Sequence, residues 1–454
     1  MVQKKKEAVP VNVRRMALEL LIEIMEGNVF CDRALHRALD RYQMEKRDRS
    51  FLTRLVEGTV ERCIELDYIL NQFSKVRVDK MKPAIRNILR LSVYQIVYMD
   101  QVPDSAVCNE AVKLTAKRNM QNLKGFVNGV LRSVAREKEK LTYPSKDDVV
   151  SYLSVRYSLP EWIAAEFIKE YGEERAEKIA ASFLKENDGV SIHCMTGHCS
   201  IEQVKKSLKE EGVLVKEGKL VKDALRISDF SSLRELTVFQ KGMFQVQDES
   251  SMLAGQIAGI QEKDVVIDVC AAPGGKTFYA ADLCRDGQVI SCDLSEEKIE
   301  RIYENKKRLG FENVTIYIND ATVLRKEWVE MADVVIADLP CSGLGVIGKK
   351  CDIKYKTTKE DILQLAKLQR QILSVVSNYV KTGGRLIFST CTMTKSENQE
   401  NAEWMEKNLS LRPVSLEDKL PEKLQGLTGA KGYLQILPDM ADTDGFFLSC
   451  WEKY

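Results

Sequence analysis

One pattern recurs through the N-terminal third of the chain. Val13, Met16, Ala17, Leu20, Leu21 and Ile24 fall three or four residues apart, which lines one face of a helix that stops near Gly27. The spacing returns at Ile85, Ile88, Leu89, Ser92 and Ile96 behind Pro83, and a further helical segment covers 106–118 behind the cap residues Asp104 and Ser105. Strand-like alternation of any length does not interrupt these segments. Residues 1–142 therefore predict an all-α bundle.

Residues 141–148, with Pro144 and Ser145, read as a linker. A second unit, 150–245, opens on a helix with Pro160 near its first turn, an apolar stripe of Trp162, Ile163, Phe167 and Ile168, and Gly172 past its end. A strand-like segment at 190–195, a helix at 201–211 and short segments at 213–221 and 224–227 follow, predicting a small α+β domain. Over 246–454 strand and helix alternate strictly. Strands are expected at 265–270, 288–293, 314–318, 333–338, 384–389 and 446–451, and helices at 277–285, 296–309, 359–380 and 396–408. Such alternation predicts a doubly wound α/β domain on a parallel sheet.

The length of 454 residues has room for two or three such domains, and 10 prolines and 25 glycines exclude collagen-like and low-complexity chains. No stretch reaches the roughly 18 consecutive apolar residues of a spanning helix. Residues 1–10 carry Lys4, Lys5 and Lys6 without an apolar core behind them and read as a frayed basic leader. Twelve cysteines scattered singly from Cys31 to Cys450 point to free thiols in the cytoplasm. The net charge of +1 conceals an asymmetry: +8 over residues 1–150, −2 over 151–240 and −5 over 241–454. A basic third beside an acidic remainder suits either a polyanion-binding module or a solvated helical surface.

The most telling local feature is an apolar strand running through Asp268 into Cys270, Ala271, Ala272, Pro273, Gly274, Gly275 and Lys276, where a helix opens. Glycines there admit a ligand close to the backbone, and the helix start offers unpaired N–H groups. The loop lacks the spacing of a dinucleotide fingerprint and that of a nucleoside-triphosphate loop. Asp293, Asp320 and Asp338 end or follow successive predicted strands, so three acids stand at the edge where open α/β sheets bind ligands. Such a row repels phosphate and suits ribose hydroxyls and a cationic centre, which favours S-adenosylmethionine over ATP or NAD.

Cys341 and Cys391 each lie just past a predicted strand at the same edge. Either alone reads as a small buried hydrophobe, but two at one rim suit the alkylation of a pyrimidine at carbon 5. That carbon is a poor nucleophile until a thiolate adds at carbon 6. His193, Cys194, His198 and Cys199 form a cluster whose spacing is not that of a zinc finger, and no metal is expected. Lys349, Lys350, Lys354, Lys356 and Lys359, interleaved with Tyr355, read as a basic aromatic segment able to hold an RNA strand by phosphate contacts and stacking, with a solvated loop as the alternative.

These motifs carry a resemblance. Asp268 to Thr277, Asp338-Leu339-Pro340-Cys341-Ser342-Gly343, Ser389-Thr390-Cys391-Thr392 and Asp444-Gly445-Phe446-Phe447 are similar to the cytosine-5 RNA methyltransferases of the Nol/Nop/Sun group, the RsmB/Sun family. The helical part resembles the NusB-like RNA-binding domain through Asn109-Glu110-Ala111-Val112 and Phe126-Val127-Asn128-Gly129-Val130-Leu131-Arg132. The resemblance covers nearly the whole chain and departs at Cys351, where members commonly carry proline ahead of Asp-Ile-Lys, and at Gly348-Lys349, which replaces a basic pair.

It implies a NusB-like domain, a small RNA-recognition domain and a Rossmann-like methyltransferase domain that uses S-adenosylmethionine. Residues 270–276 would line the cofactor, with Asp293 on the ribose, Asp320 near the adenine and Asp338 between cofactor and base. Cys391 would be the nucleophile and Cys341 would assist release. The implied partner is 16S ribosomal RNA, methylated by a cytoplasmic monomer before the subunit is fully assembled. A transfer-RNA cytosine methyltransferase and a non-catalytic RNA-binding or antitermination factor stand as alternatives.

Overall fold

A computed structural model describes residues 12–185 and 188–454, so the basic leader expected at 1–10 lies outside the described residues. The chain forms two compact units. One holds the described residues up to Lys185 together with Ile347–Lys356, the other 188–346 together with Thr357–Tyr454.

The first unit is helical: α1 (Val13–Glu26), α2 (Cys31–Arg41), α3 (Lys46–Glu61), α4 (Cys63–Phe73), α5 (Pro83–Tyr98), α6 (Asp104–Lys117), α7 (Lys124–Glu137), α8 (Val149–Arg156), α9 (Glu161–Tyr171) and α10 (Glu173–Ser182). The stripe read in α1 is its buried face, with Ala17, Leu20, Leu21 and Ile24 enclosed, and Asn12 caps its start by accepting from the Arg15 amide. Helix α5 is the central element, buried nearly all round. The expected middle domain is divided: α8 packs on α4, where the Ser158 hydroxyl accepts from the Glu65 amide at 3.0 Å, so residues 149–182 belong with the helical unit.

The second unit carries two sheets. The smaller is antiparallel, in the order β2 (Leu214–Glu217), β3 (Ala224–Ser228), β1 (Val190–Cys194), β4 (Phe244–Val246), and is accompanied by α11 (Ile201–Glu210) and the single turn α12 (Thr237–Gln240). The larger sheet has a parallel core, β7 (Val314–Ile318), β6 (Gln288–Asp293), β5 (Val265–Asp268), β8 (Ala332–Asp338), β9 (Val380–Thr390). Helices α13 (Glu249–Ala258), α14 (Gly275–Leu283), α15 (Glu296–Leu309), α17 (Lys359–Val376) and α18 (Gln399–Asn408) accompany it. The chain runs outward from β5 in one direction to β6 and β7 and in the other to β8 and β9, which leaves a crevice at the carboxyl ends beside β5. Beyond β9 the sheet turns antiparallel through β12 (Phe446–Lys453), which pairs β10 (Leu411–Pro413) and β11 (Tyr433–Ile436). The sequence pattern did not distinguish that direction, because a fully buried strand reads alike in either sense.

Between β8 and α17 the chain passes through the helical unit at Ile347–Lys356, ending in the turn α16 (Ile353–Lys356). This corrects the reading of the segment as an RNA-holding loop. The Lys354 ammonium is buried and donates to the Glu61 carbonyl at 2.8 Å. The Tyr355 hydroxyl meets the Glu61 and Ser158 carbonyls at 3.4 and 3.3 Å, and Lys356 donates to the Val29 carbonyl and to Asp352 at 2.6 and 2.8 Å. Lys349, Lys350 and Lys359 are exposed.

Candidate functional site

The carboxyl ends of β5, β6, β8 and β9 bring the expected residues to one edge. Strand β5 ends at Asp268, 1% exposed, one oxygen of which accepts from the Thr277 hydroxyl at 2.7 Å while the other has no partner. Burial lifts this carboxyl to about 7. The loop 270–274 then turns into α14. Gly274 has φ +104°, and a Cβ there would stand 2.4 Å from the Phe278 ring, so no other residue fits. Asp293 ends β6 and joins the loop by accepting from the Ala272 amide at 3.1 Å, with Leu294 N and Lys298 Nζ on its other oxygen. Asp320 is exposed in the turn after β7, its carboxyl held low by the Thr322 hydroxyl and amide.

Asp338 ends β8. Its oxygens accept from Lys276 Nζ at 2.7 Å and from the Ser389 hydroxyl at 2.8 Å, and Lys276 also donates to Ser251 at 2.7 Å. The α14 lysine, the β8 acid and the β9 serine are thus tied together. Cys341 and Cys391 follow β8 and β9, are both partly exposed, and face each other with sulfurs 3.3 Å apart. The contact with Cys391, burial and the nearby Glu397 carboxylate push the Cys341 thiol well above its ordinary range.

Backbone contacts knit the two cysteine loops to a third. Gly345 N donates to the Cys391 carbonyl at 3.0 Å, and the Gly345 carbonyl accepts from Gly445 N at 2.9 Å. A Cβ on Gly345 would lie 1.9 Å from the Gly445 oxygen, which explains glycine on both loops. The sequence reading met Gly445 only inside the Asp444-Gly445-Phe446-Phe447 motif and singled out neither Gly345 nor Glu397, a buried carboxylate behind the cysteines. Its position just ahead of α18 looks in the sequence like an ordinary acid at a helix start.

The histidine and cysteine cluster does not converge. His193 stacks on Tyr279 with ring centroids 4.5 Å apart, and His198 meets Phe311 edge-on at 5.0 Å. Cys194 is buried in the core of the small domain, and Cys199 contacts the Met195 and Met243 carbonyls. Among the described residues no helix is long and apolar enough to cross a membrane.

An acid row beside a glycine turn, with an orphaned Asp268 oxygen behind it, fits a cofactor that offers ribose hydroxyls and a cationic sulfonium rather than phosphate. Comparison with known proteins agrees. Residues 256–452 match the family described as 16S rRNA methyltransferase RsmB/F, and residues 11–136 match the NusB family. A relative from Bacillus subtilis (strain 168), probable ribosomal RNA small subunit methyltransferase B, is 36% identical over 97% of this chain and 99% of its own length. One of the same description from Synechocystis sp. is 32% identical over 98% of this chain and 100% of its own. In fold the chain is similar to the crystal structure of PH0851, with a TM-score of 0.81 at 24% identity, covering 99% of this chain and 100% of that one. Through these matches along its whole length the chain belongs to the RsmB/F family of 16S rRNA methyltransferases, with S-adenosylmethionine as its cofactor.

Proposed function

We propose that this chain methylates carbon 5 of a cytosine in 16S ribosomal RNA through a transient bond between Cys391 and the base. The observation that carries the reading is the pair of sulfurs 3.3 Å apart at the cofactor edge, one beyond β8 and one beyond β9. A cytosine ring must lose its aromaticity before carbon 5 can attack an electrophile, and addition of the Cys391 thiolate to carbon 6 achieves this. S-adenosylmethionine, when bound, supplies the electrophilic methyl group. As the carbon-5 proton leaves to a base, the carbon 6–sulfur bond breaks and Cys391 departs as thiolate.

With its own thiol pushed up, Cys341 keeps its proton and stands as hydrogen-bond donor toward the Cys391 sulfur, which lowers the cost of the thiolate there. In this reading Cys341 also assists the release step. Residues 270–276 would line the cofactor, Asp293 would hold its ribose, Asp320 would lie toward the adenine, and Asp338, steadied by Lys276 and Ser389, would stand between cofactor and base. The base leaves its stack to reach the sulfurs. The protein acts as a cytoplasmic monomer on ribosomal RNA before the subunit is fully assembled. Twelve free thiols accord with a reducing compartment.

Transfer of labelled methyl from S-adenosylmethionine to unmodified small-subunit ribosomal RNA, with transfer RNA in parallel, tests the proposal. Label recovered as 5-methylcytosine at one ribosomal position supports it. Label only in transfer RNA overturns the substrate, and label in neither overturns the reaction in favour of an RNA-binding factor. Cys391→Ala is expected to abolish both methylation and the covalent adduct, whereas Cys341→Ala is expected to leave protein trapped on RNA. Trapping by the Cys391 variant instead exchanges the two roles.

A further inference from the structure

Behind the two cysteines lies a carboxylate to which neither sequence nor family description assigns a role. Glu397 is 0% exposed. Hydroxyls and N–H groups donate to it. One oxygen accepts from the Ser342 amide at 2.8 Å and from Gln369 Nε2 at 3.4 Å. The other accepts from the hydroxyls of Ser342 at 2.6 Å and Thr394 at 2.7 Å. Ser342 follows Cys341 directly, and its hydroxyl also meets that of Thr392, the residue after Cys391, at 2.7 Å. Gln369, from α17, donates to the Pro340 carbonyl at 2.8 Å, so the residue before Cys341 is held by the same group of side chains. An isolated ionised carboxylate in such a place is costly. Here hydrogen bonds from both cysteine loops reduce that cost without cancelling it, and burial still holds the carboxyl above its ordinary range.

We infer that Glu397 is a positioning residue that clamps the Cys341 loop to the Cys391 loop through Ser342 and places a carboxylate behind the sulfur pair. The inference rests on the cysteine roles proposed above. A fixed sulfur pair is what adduct formation and release need in common, since both depend on thiol placement to within a fraction of an ångström. The ionisable groups facing the Cys341 sulfur are Cys391 and Glu397, and both raise its proton affinity.

Two measurements on the full chain test this. In a C391S background, Cys341 is titrated by its rate of alkylation with iodoacetamide across pH, followed by mass spectrometry of its peptide, with and without E397Q. Loss of the facing charge is expected to lower the midpoint by about one pH unit. An unmoved midpoint overturns the inference. This readout requires no RNA, so it decides the matter even if the chain methylates no cytosine and the proposed function fails. The second variant, S342A, keeps the carboxylate and the backbone bond and removes only the hydroxyl, so it remains informative if E397Q does not fold. S342A is expected to lower kcat for methyl transfer about tenfold, with KM for the cofactor unchanged. Full turnover in S342A and in a folded E397Q overturns the clamp.

Discussion

Asp268 sits at the end of β5 with Thr277 on one oxygen and nothing on the other, and burial raises its carboxyl to about 7. An unfolded aspartate titrates near about 3.9. The folded state therefore keeps a proton that the unfolded chain releases, so this contribution to stability is complete below about pH 4 and is lost as pH rises through 7. Cofactor-free protein is expected to melt at progressively lower temperature from pH 5 to 8, and Asp268→Asn, uncharged throughout, to show a flatter profile. Glu57, lifted to about 7 by burial and by Glu61, adds the same slope to parent and variant and cancels in the comparison. Parallel melting profiles by circular dichroism sink the idea. Among single residues, legibility followed context. The glycine loop, the acids and the two cysteines could be read because their residue types are unusual at strand ends, whereas Glu397 is an acid among many and only its burial marks it.

Elements were legible where local pattern and tertiary role coincide. The six strands of the α/β unit were found because apolar β-branched runs end in acids or turn residues, but the short β10 and β11 carry too few residues to show a period. The segment Ile347–Lys356 was misread because its partners lie far away in sequence. Asp352 accepts from the Cys31 amide at 2.8 Å across 321 positions. Cys31 opens α2, whose own N-cap, Phe30, provides no side-chain acceptor, so Asp352 serves as a remote cap. The same carboxylate pairs with the nearly buried Lys356. Asp352→Ala removes the cap and leaves the lysine without its counter-charge, which is expected to cost about 2–4 kcal/mol and lower the melting temperature by several degrees. Asp352→Asn keeps an acceptor and is expected to recover part of the loss. An Asp352→Ala protein as stable as its parent in urea titrations contradicts the capping role.

At the scale of the whole molecule the charge asymmetry gains meaning from what the structure has already used. The +8 of residues 1–150 is counted net of ion pairs such as Arg86–Glu26, Arg90–Asp67 and Arg118–Glu19, which bind basic residues of that third to its own acids. An excess that survives such pairing remains for an external polyanion, and its contribution to affinity comes largely from counterions released by phosphate contacts. Binding of the full chain to small-subunit ribosomal RNA is therefore expected to weaken at least about tenfold between 50 and 200 mM salt, as even a few phosphate contacts require. Cofactor binding follows a different rule. On the proposed assignment the acid row would meet ribose and a sulfonium within a crevice, so S-adenosylmethionine affinity is expected to change by less than about twofold over the same range, because short and partly buried contacts are screened little. Filter binding and calorimetry at matched salt separate the two. An RNA affinity as indifferent to salt as the cofactor's shifts recognition from phosphate neutralisation to base edges and stacking, and removes the basic third from the list of RNA contacts.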